Sequence, residues 1–185
     1  MVPADLADAA RQYHRSMSTL TIRPATRGDV ALILQLVREL ADYEKAPDQA
    51  VATPADMERA LFGEISGRAP LAECVIGEVD GKPEGLALFF MNFSTWTGRP
   101  GMYLEDLFVR PSARGKGLGK ALFEHVARLA AGRGCSRYEW AVLDWNTPAI
   151  EFYKAHGAKA MDEWTVYRMN QQQIAALAAT GPLTP

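Results

Sequence analysis

Three glycines alternate along one short stretch of the chain, at the point where a strand is expected to pass into a helix. At such a place, backbone N–H groups and the positive end of the helix can converge on an anion. Three basic side chains add positive charge to the same stretch. The glycines are Gly115, Gly117 and Gly119, and the basic residues are Arg114, Lys116 and Lys120. The pattern indicates a phosphate-binding loop, and a tight turn that binds nothing is the alternative interpretation.

Two common phosphate-binding motifs do not fit this loop. The chain lacks the GxxxxGK[ST] motif of nucleoside-triphosphate loops. A dinucleotide fingerprint reads GxGxxG directly after a buried strand, with an acid about 20 residues later. Here the run reads GxGxG and begins several residues beyond Val109, and the acid at a comparable distance, Glu139, lies inside an expected strand. The strand before the loop also carries two adjacent acids, Glu105 and Asp106. Neither ligand class is therefore favoured.

Hydrophobic periodicity and turn residues predict the elements that must position the loop. Strands are expected at about 20–23, 71–79, 85–93, 102–110, 136–144 and 164–169. Helices are expected from a cap at Asp29 to about Tyr43, from Thr53-Pro54 to Gly63, from Leu118 to Gly132, and from Thr147 to Gly157, with a terminal turn or two at 171–179. Asp80-Gly81 predicts a hairpin turn. The order is β-α-α-β-β-β-α-β-α-β, a mixed α/β or α+β domain.

Length and composition are those of one globular domain. The chain has 185 residues, 48% of them hydrophobic and 23% charged. We predict one domain over residues 19–170, a polar arm over 1–18 and a tail over 171–185.

Charge and cysteine usage disfavour several other classes of protein. A net charge of −2 gives no overall field that would attract nucleic acid. Cys74 and Cys135 lie far apart, without a histidine at ligand spacing, so neither a disulfide framework nor a zinc site is expected. The absence of a long apolar run and of a leader pattern predicts a cytoplasmic protein with no membrane partner.

Five segments together resemble one enzyme family. Residues 114–119, Arg-Gly-Lys-Gly-Leu-Gly, look like the acyl-CoA pyrophosphate loop of the GCN5-related N-acetyltransferases (GNAT). Residues 103–109 (YLEDLFV), 144–154 (DWNTPAIEFYK) and 157–158, taken with 38–44 (RELADYE), are similar to the branch that contains spermidine/spermine N1-acetyltransferase and the thialysine acetyltransferases. The resemblance implies the GNAT fold, a central, mostly antiparallel mixed sheet flanked by helices.

The resemblance also implies a co-substrate, acetyl-CoA, and no metal. The backbone of Leu107, Phe108 and Val109 would pair with the pantetheine amides. The pyrophosphate would lie on the loop, which comprises Arg114, Gly115, Lys116, Gly117, Leu118, Gly119 and Lys120. Asn146 and Pro148 would contact the pantetheine arm and open a helix; Asn146 is equally suited to be a helix cap.

Acetyl transfer needs a neutral amine, and an amine with a pKa of about 10.4 is only about 0.04% neutral at pH 7. Glu105 matches the family position that accepts the ammonium proton, through ordered water. Tyr153 matches the general acid that protonates the CoA thiolate and also lies in the cofactor set. Without the resemblance, Glu105 would be an ordinary strand carboxylate and Tyr153 a packing residue.

The resemblance implies an acidic and aromatic acceptor site for a cationic primary amine. The matching positions are Tyr43, Glu44, Glu105, Glu139, Trp140 and Glu163, with Asp162 as the alternative to Glu163. Residues 92–96 (NFSTW) lack the acid found in polyamine-acetylating relatives, and residues 157–164 are fewer than theirs. Among the acceptors that the resemblance allows, which include diamines and polyamines, these two differences disfavour long polyamines. They favour a smaller diamine, thialysine or another lysine-like amine.

The predicted function is therefore direct acetyl transfer to a small amine in a ternary complex. The resemblance also implies a homodimer, which the apolar C-terminal strand expected at residues 164–169 permits. Two alternatives remain. One is a non-catalytic acyl-CoA sensor, which would need neither Glu105 nor Tyr153. The other is a protein lysine or N-terminal acetyltransferase, which would need an open groove.

Overall fold

The computed structural model describes residues 18–63 and 69–179. The predicted arm lies outside the described residues except for Ser18, and so do the last six residues of the predicted tail. The chain forms two units, one up to Ala141 and one from Val142 onwards. The domain bounds at 19 and 170 stay a prediction.

The first unit is built on a five-stranded sheet. Its strands are β1 (Leu20–Pro24), β2 (Glu73–Val79), β3 (Lys82–Ser94), β4 (Arg99–Val109) and β5 (Tyr138–Glu139). Its helices are α1 (Val30–Tyr43), α2 (Pro54–Phe62) and α3 (Leu118–Gly132). The strands lie side by side in sequence order, antiparallel except for the parallel pair β4–β5. The predicted mixed, mostly antiparallel sheet is confirmed.

A tight turn joins β2 to β3, as predicted. Asp80 and Gly81 both adopt positive φ angles, 51° and 77°. Two consecutive left-handed residues match the right-handed twist of a two-residue hairpin, and Asp-Gly tolerates that conformation well.

Helices cover both faces of this sheet. The helices α1 and α2 pack on one face over a buried cluster of Ile33, Leu36, Leu61, Cys74, Ile76, Leu86, Leu88 and Phe108. The next residue after Ile76 is Gly77, which faces the opposite side because strand side chains alternate. A Cβ on Gly77 would lie 2.9 Å from Cδ1 of Leu118, so the glycine lets α3 approach the second face closely. We call the first face the α1 face.

Helices α1 and α2 begin where the sequence predicts, but the predicted N-terminal cap is found in only one of them. Thr53 caps α2 and forms the capping box with Asp56. Asp29 stands at the N-cap of α1, but its side chain makes no cap hydrogen bond. Its carboxylate instead accepts hydrogen bonds from Arg23, at 2.8 Å to each oxygen, and from the backbone N–H and the hydroxyl of Thr26, both at 2.8 Å. None of these donors belongs to the first turn of α1, so the expected use of this side chain as a cap of that helix is wrong.

The second unit contains α4 (Thr147–Ala155) and α5 (Gln171–Ala178). The predicted strand at 164–169 is wrong, because this segment has no regular structure. Trp164, Val166 and Tyr167 are 64%, 80% and 91% exposed. Alternating apolar residues show that a segment could pair, whereas a strand forms only beside a partner.

The predicted strand at 136–144 is also shorter than expected, since only Tyr138 and Glu139 are extended and paired.

Among the helices of the described residues, none has the length and apolar character of a membrane span.

Candidate active site

The glycine loop has the backbone shape of an anion cradle. Gly115 and Gly117 adopt left-handed φ angles of 76° and 87°, which favour glycine. Gly117 is the N-cap of α3 and supplies no side-chain cap. The first N–H groups of a helix have no partner within the helix, so those of α3 are available at the positive end of its dipole.

The loop side chains divide into three kinds. Leu118 is buried under the sheet, at 1% exposure, so only its backbone can serve a ligand. Lys116 and Lys120 are exposed, and the Lys120 ammonium lies 3.8 Å from Glu124. The Nε of Arg114 donates to the carbonyl oxygen of Val109 at 3.0 Å, which holds the loop against the end of β4.

The second half of β4 has an open edge. The strand β5 pairs with β4 only at Met102 and Tyr103, so among the described residues no strand adjoins positions 104–109 on that side. The predicted pantetheine-binding stretch, 107–109, lies there. The side chains of Phe108 and Val109 are buried, so the backbone is what this stretch presents.

A β-bulge lies in β4 at Glu105. In the register with β3, Leu88 is opposite Asp106 and the next residue, Phe89, is opposite Leu104. Glu105 is therefore the extra residue of the bulge. Because Leu88 belongs to the cluster under α1, Asp106 faces α1, whereas the buried Leu104 faces the other side with Phe89. Glu105 itself is exposed.

Three carboxylates gather near this bulge: Glu44, Glu105 and Asp106. Burial, together with the negative charges of Glu105 and Glu44, raises the pKa of Asp106 to about 6. Burial also raises the pKa of Glu44. We call these residues the acid group. They supply a half-buried negative site of the kind that favours a cationic ligand.

A C-terminal capping motif ends α1 just after Tyr43 and Glu44, beside the acid group. Lys45 turns left-handed at φ 61°, and the N–H of Ala46 returns to the carbonyl of Ala41 at 2.9 Å, which is a Schellman ending. The guanidinium carbon of Arg114 lies 4.6 Å from the centre of the Tyr43 ring, a cation–π contact between the loop and α1.

An ion pair further up α1 holds the helix on the sheet. Arg110, just after β4, donates from Nε and Nη2 to the two oxygens of Glu39, both at 2.8 Å. The guanidinium keeps the pKa of Glu39 below its ordinary value. This bidentate contact fixes the register of α1 against β4 and so the position of the acid group.

The other predicted acceptor residues of the first unit have protein partners. The Glu139 carboxylate lies 2.9 Å from Nε of Arg137 and accepts a hydrogen bond from Asn92 at 3.2 Å. The Trp140 ring packs edge-on against Phe123, with ring centres 5.1 Å apart. Glu139 is on the strand beside Tyr103, whereas the Trp140 ring contacts α3.

The remaining predicted residues belong to the second unit. Asn146 is 9% exposed, and its side chain accepts from the N–H of Ala149 at 3.4 Å, so it caps α4. Pro148 occupies the first turn of α4, where proline is favoured. Tyr153 is half-buried on α4 with its ring 5.3 Å from that of Phe152, and Glu163 is exposed in a turn.

Sequence reasoning did not assign a role to Asp106, Asn92 or Arg137. Simple alternation would place Asp106 on the face opposite Glu105, and a bulge has no clear signature in one sequence. The spacing of Arg137 and Glu139, two apart on an expected strand, was a usable signal, because such residues share a face.

The fold and loop define a class of protein. Residues 35–158 match the model of the acetyltransferase (GNAT) family, and the chain belongs to that family. The protein is an enzyme, an N-acetyltransferase, and its sheet is the GNAT fold. The resemblance drawn from the loop and the four other segments is thereby confirmed.

Named relatives place the chain within the family. It is 38% identical over 173 residues to thialysine N-epsilon-acetyltransferase of Sus scrofa, covering 88% of this chain and 99% of that one. It is 41% identical over 216 residues to L-ornithine N5-acetyltransferase of Arabidopsis thaliana, covering 95% and 94%. Among solved structures, an integron cassette protein from the mobile metagenome of V. cholerae matches with a TM-score of 0.71 and 28% identity, covering 87% of this chain and 98% of the other.

Proposed function

We propose that this enzyme transfers an acetyl group from acetyl-CoA to the terminal primary amine of a small cationic acceptor such as thialysine or ornithine. The observation that carries the proposal is the arrangement of β4. Its bulge carries Glu105 among the acid group, and its end runs into the glycine loop. One strand thus positions an ammonium site and an anion site in one molecule.

On the cofactor side, residues 107–109 offer their open backbone edge to the pantetheine amides. The loop offers the N–H groups at the start of α3 to the pyrophosphate, with Lys116 and Lys120 as exposed counter-charges. A diphosphate carries the charge and the acceptor oxygens that such a cradle binds. The pyrophosphate assignment for residues 114–120 rests on this fit and on family membership.

The reaction on the acceptor side begins with loss of a proton. The acid group binds the ammonium, and a proton passes from the nitrogen through water towards Glu105. The neutral nitrogen forms a bond to the thioester carbonyl carbon, and the bond from that carbon to sulfur breaks. Tyr153 donates its phenolic proton to the departing thiolate and regains one from solvent. The products are the N-acetylated amine, free CoA and one proton.

In the second unit, the proposed acid is Tyr153 on α4. Asn146 caps this helix and Pro148 lies in its first turn, so the start of the helix, and with it the position of Tyr153 along the helix, is fixed. A thiol with a pKa near 8.5 leaves readily, so a phenol is a strong enough acid. Glu163, or Asp162 beside it, stays a predicted acceptor-binding residue.

The first experiment is an acetylation panel. The purified protein is incubated with acetyl-CoA and a mixture of thialysine, ornithine, lysine, small diamines, spermidine, spermine and a lysine peptide, and products are identified by mass spectrometry. We expect one class of small amine to dominate. Acetylation of the peptide alone would support a protein acetyltransferase, and acetyl-CoA binding without any product would support a sensor.

The matched variant for this experiment is Tyr153→Phe. It retains the ring and removes the proton donor, so turnover should fall by about 10²–10³ while acetyl-CoA still binds. Unchanged turnover would remove Tyr153 from the mechanism.

We also propose that the protein is a cytoplasmic homodimer. Support for the dimer comes from the exposed apolar side chains of residues 164–169, which a second copy would cover. Sedimentation of the full chain at micromolar concentration should show twice the 20.3 kDa mass of one chain. A single species of monomer mass would contradict the dimer.

A further inference from the structure

A second polar cluster lies on the α1 face of the sheet, beyond the acid group. It consists of Asn92 on β3, Arg137 just before β5, and Glu139 on β5. Asn92 shares the face of Leu88 by strand alternation, and Glu139 lies beside Tyr103 in the register of β4 and β5. We call these three residues the Arg137 cluster.

A glycine makes room for this cluster. Gly101 pairs with Asn92 across β3 and β4. A Cβ on Gly101 would collide with the Asn92 amide oxygen and lie 2.8 Å from Cγ of Arg137. Any other residue at 101 would therefore push both side chains apart, and the close approach depends on this glycine.

The cluster is not internally satisfied. Arg137 uses Nη2 to donate to the carbonyl of Phe93 at 3.2 Å, and Glu139 uses Oε2 for both of its contacts. Among the described residues, Nη1 of Arg137, Oε1 of Glu139 and the buried Oδ1 of Asn92 have no protein partner. The 2.9 Å contact between Arg137 and Glu139 is an ion pair without hydrogen-bond alignment, because Nε is itself without a hydrogen bond.

The charges of Arg137 and Glu139 are complementary to those of a zwitterionic ligand. The Nη1 donor of Arg137 is suited to a carboxylate ligand, and Oε1 of Glu139 is suited to an ammonium ligand. The side chains of Arg137 and Glu139 are 37% and 40% exposed, so a small molecule can reach them. An α-amino acid carries both of these charges on one carbon.

The spacing to the acid group fits a diamino acid. Tyr103, which lies beside Glu139, precedes Asp106 by three residues, or about 7–10 Å along a bulged strand. The rings of Phe90 and Tyr103, with centres 5.1 Å apart, line this interval on the same face. An extended side chain of ornithine or lysine size spans such an interval over an apolar surface.

We propose that the Arg137 cluster binds the α-carboxylate and α-ammonium of a diamino acid whose side-chain amine lies at the acid group. The cluster thereby selects diamino acids over diamines of the same length. This inference rests on the proposed function, since it names the acceptor class of that site. Arg137 is the specificity-determining residue for the α-carboxylate, and Glu139 binds the α-ammonium. Asn92, whose Oδ1 is buried, is a positioning residue that donates a hydrogen bond to Glu139.

The test compares acceptors that differ only in the α-carboxylate. Ornithine is paired with putrescine, and lysine with cadaverine, and kcat and KM are measured for each with saturating acetyl-CoA. The unmodified protein should prefer the amino acid of each pair. Ornithine amide, which lacks the negative charge, should behave like putrescine.

Two variants locate this preference in the protein. Arg137→Gln should raise KM for ornithine by about 10–100-fold, the effect of losing a charged hydrogen bond, while kcat/KM for putrescine changes little. Arg137→Lys retains the charge without the planar fork and should recover part of the loss. The matched control is Arg99→Gln, which changes an exposed arginine at the start of β4, outside the Arg137 cluster, and should alter the use of neither acceptor.

Three outcomes would overturn the proposal. They are equal use of ornithine and putrescine by the unmodified protein, normal use of ornithine amide, and an equal loss for both acceptors in Arg137→Gln. The first two need no variant, so a folding defect in Arg137→Gln cannot hide the answer. Failure of the proposed function is a different result, in which no amine of the panel is acetylated at all.

Discussion

The two ends of β4 carry sites that are built in different ways. The glycine loop is contiguous, because residues 114–120 follow the strand directly and their own φ angles shape the cradle. The acceptor region is assembled from distant segments, namely the end of α1, the bulge of β4, and the Arg137 cluster from β3 and β5.

The two arrangements differ in how much substitution they tolerate. The proposed cofactor loop needs glycine at positions set by backbone geometry, so it tolerates little change. The acceptor region combines side chains from separate elements, so single substitutions can alter the acceptor without disturbing the fold. Variants of the two ends should therefore affect different kinetic constants.

The largest expected effect comes from Glu105→Gln. The variant cannot accept a proton, so kcat/KM for the amine should fall by about 10²–10⁴. Acetyl-CoA affinity, measured by titration calorimetry, should stay the same because Glu105 is not part of the loop. Glu58→Gln on α2 is the control and should retain activity. A parallel loss of acetyl-CoA affinity in Glu105→Gln would show that the two ends of β4 are not separable.

The second effect sharpens the loop side of the comparison. Gly117→Ala places a side chain at φ 87°, which should cost about 1–2 kcal/mol of stability and weaken acetyl-CoA binding. Gly132→Ala, at the last residue of the same helix and outside the loop, is the matched control, since its Cβ would meet no atom within 4 Å and alanine favours the helix by up to about 1 kcal/mol. Urea unfolding and acetyl-CoA titration measure both. Equal behaviour of the two variants would contradict the role of the left-handed backbone.

The third effect concerns the ionisation of the Asp106 carboxyl on the acceptor side. The pKa of Asp106 is raised from 3.8 to about 6, so the folded chain holds this proton more tightly than the unfolded chain. The resulting stability is fully present below pH 3.8, declines as the pH rises above that value, and is completely lost above about pH 6. At pH 7.5, Asp106→Asn should be more stable than the unmodified protein by about 2 kcal/mol, with little difference at pH 4.

Urea unfolding at several pH values measures this difference, with the exposed Asp48→Asn as the control. A difference that is the same at every pH would mean that Asp106 does not titrate in this range. The same charge predicts a kinetic effect, because KM for a cationic amine should rise as pH falls through 6 and Asp106 becomes neutral.

The smallest effect tests the contact that joins the two ends. A double-mutant cycle of Arg114→Met and Tyr43→Leu should give a coupling of about 0.5–1 kcal/mol in the free energy of unfolding, the size of a cation–π contact at an exposed site. Zero coupling would leave the loop and the end of α1 energetically independent.

Much of the fold could be predicted because its signals are local. The capping box at Thr53 and Asp56, the Asp80-Gly81 turn and the glycine that ends a helix each act within a few residues. The strand at 164–169 could not be judged in this way, since alternation describes a side-chain pattern and not the presence of a partner strand. Asp29 failed as a cap for a related reason, because Arg23 comes from another element.

The glycine loop, the elements on either side of it and the family could be identified from one sequence, since they depend on residue types at short spacing. The proposed acceptor region became visible only in the folded chain. The bulge that exposes Glu105 and turns Asp106 towards α1 arises from the pairing of β3 with β4. The approach of Arg137, Asn92 and Glu139 depends on the space above Gly101. Contacts between residues far apart in the chain are set by packing and register, which one sequence does not specify.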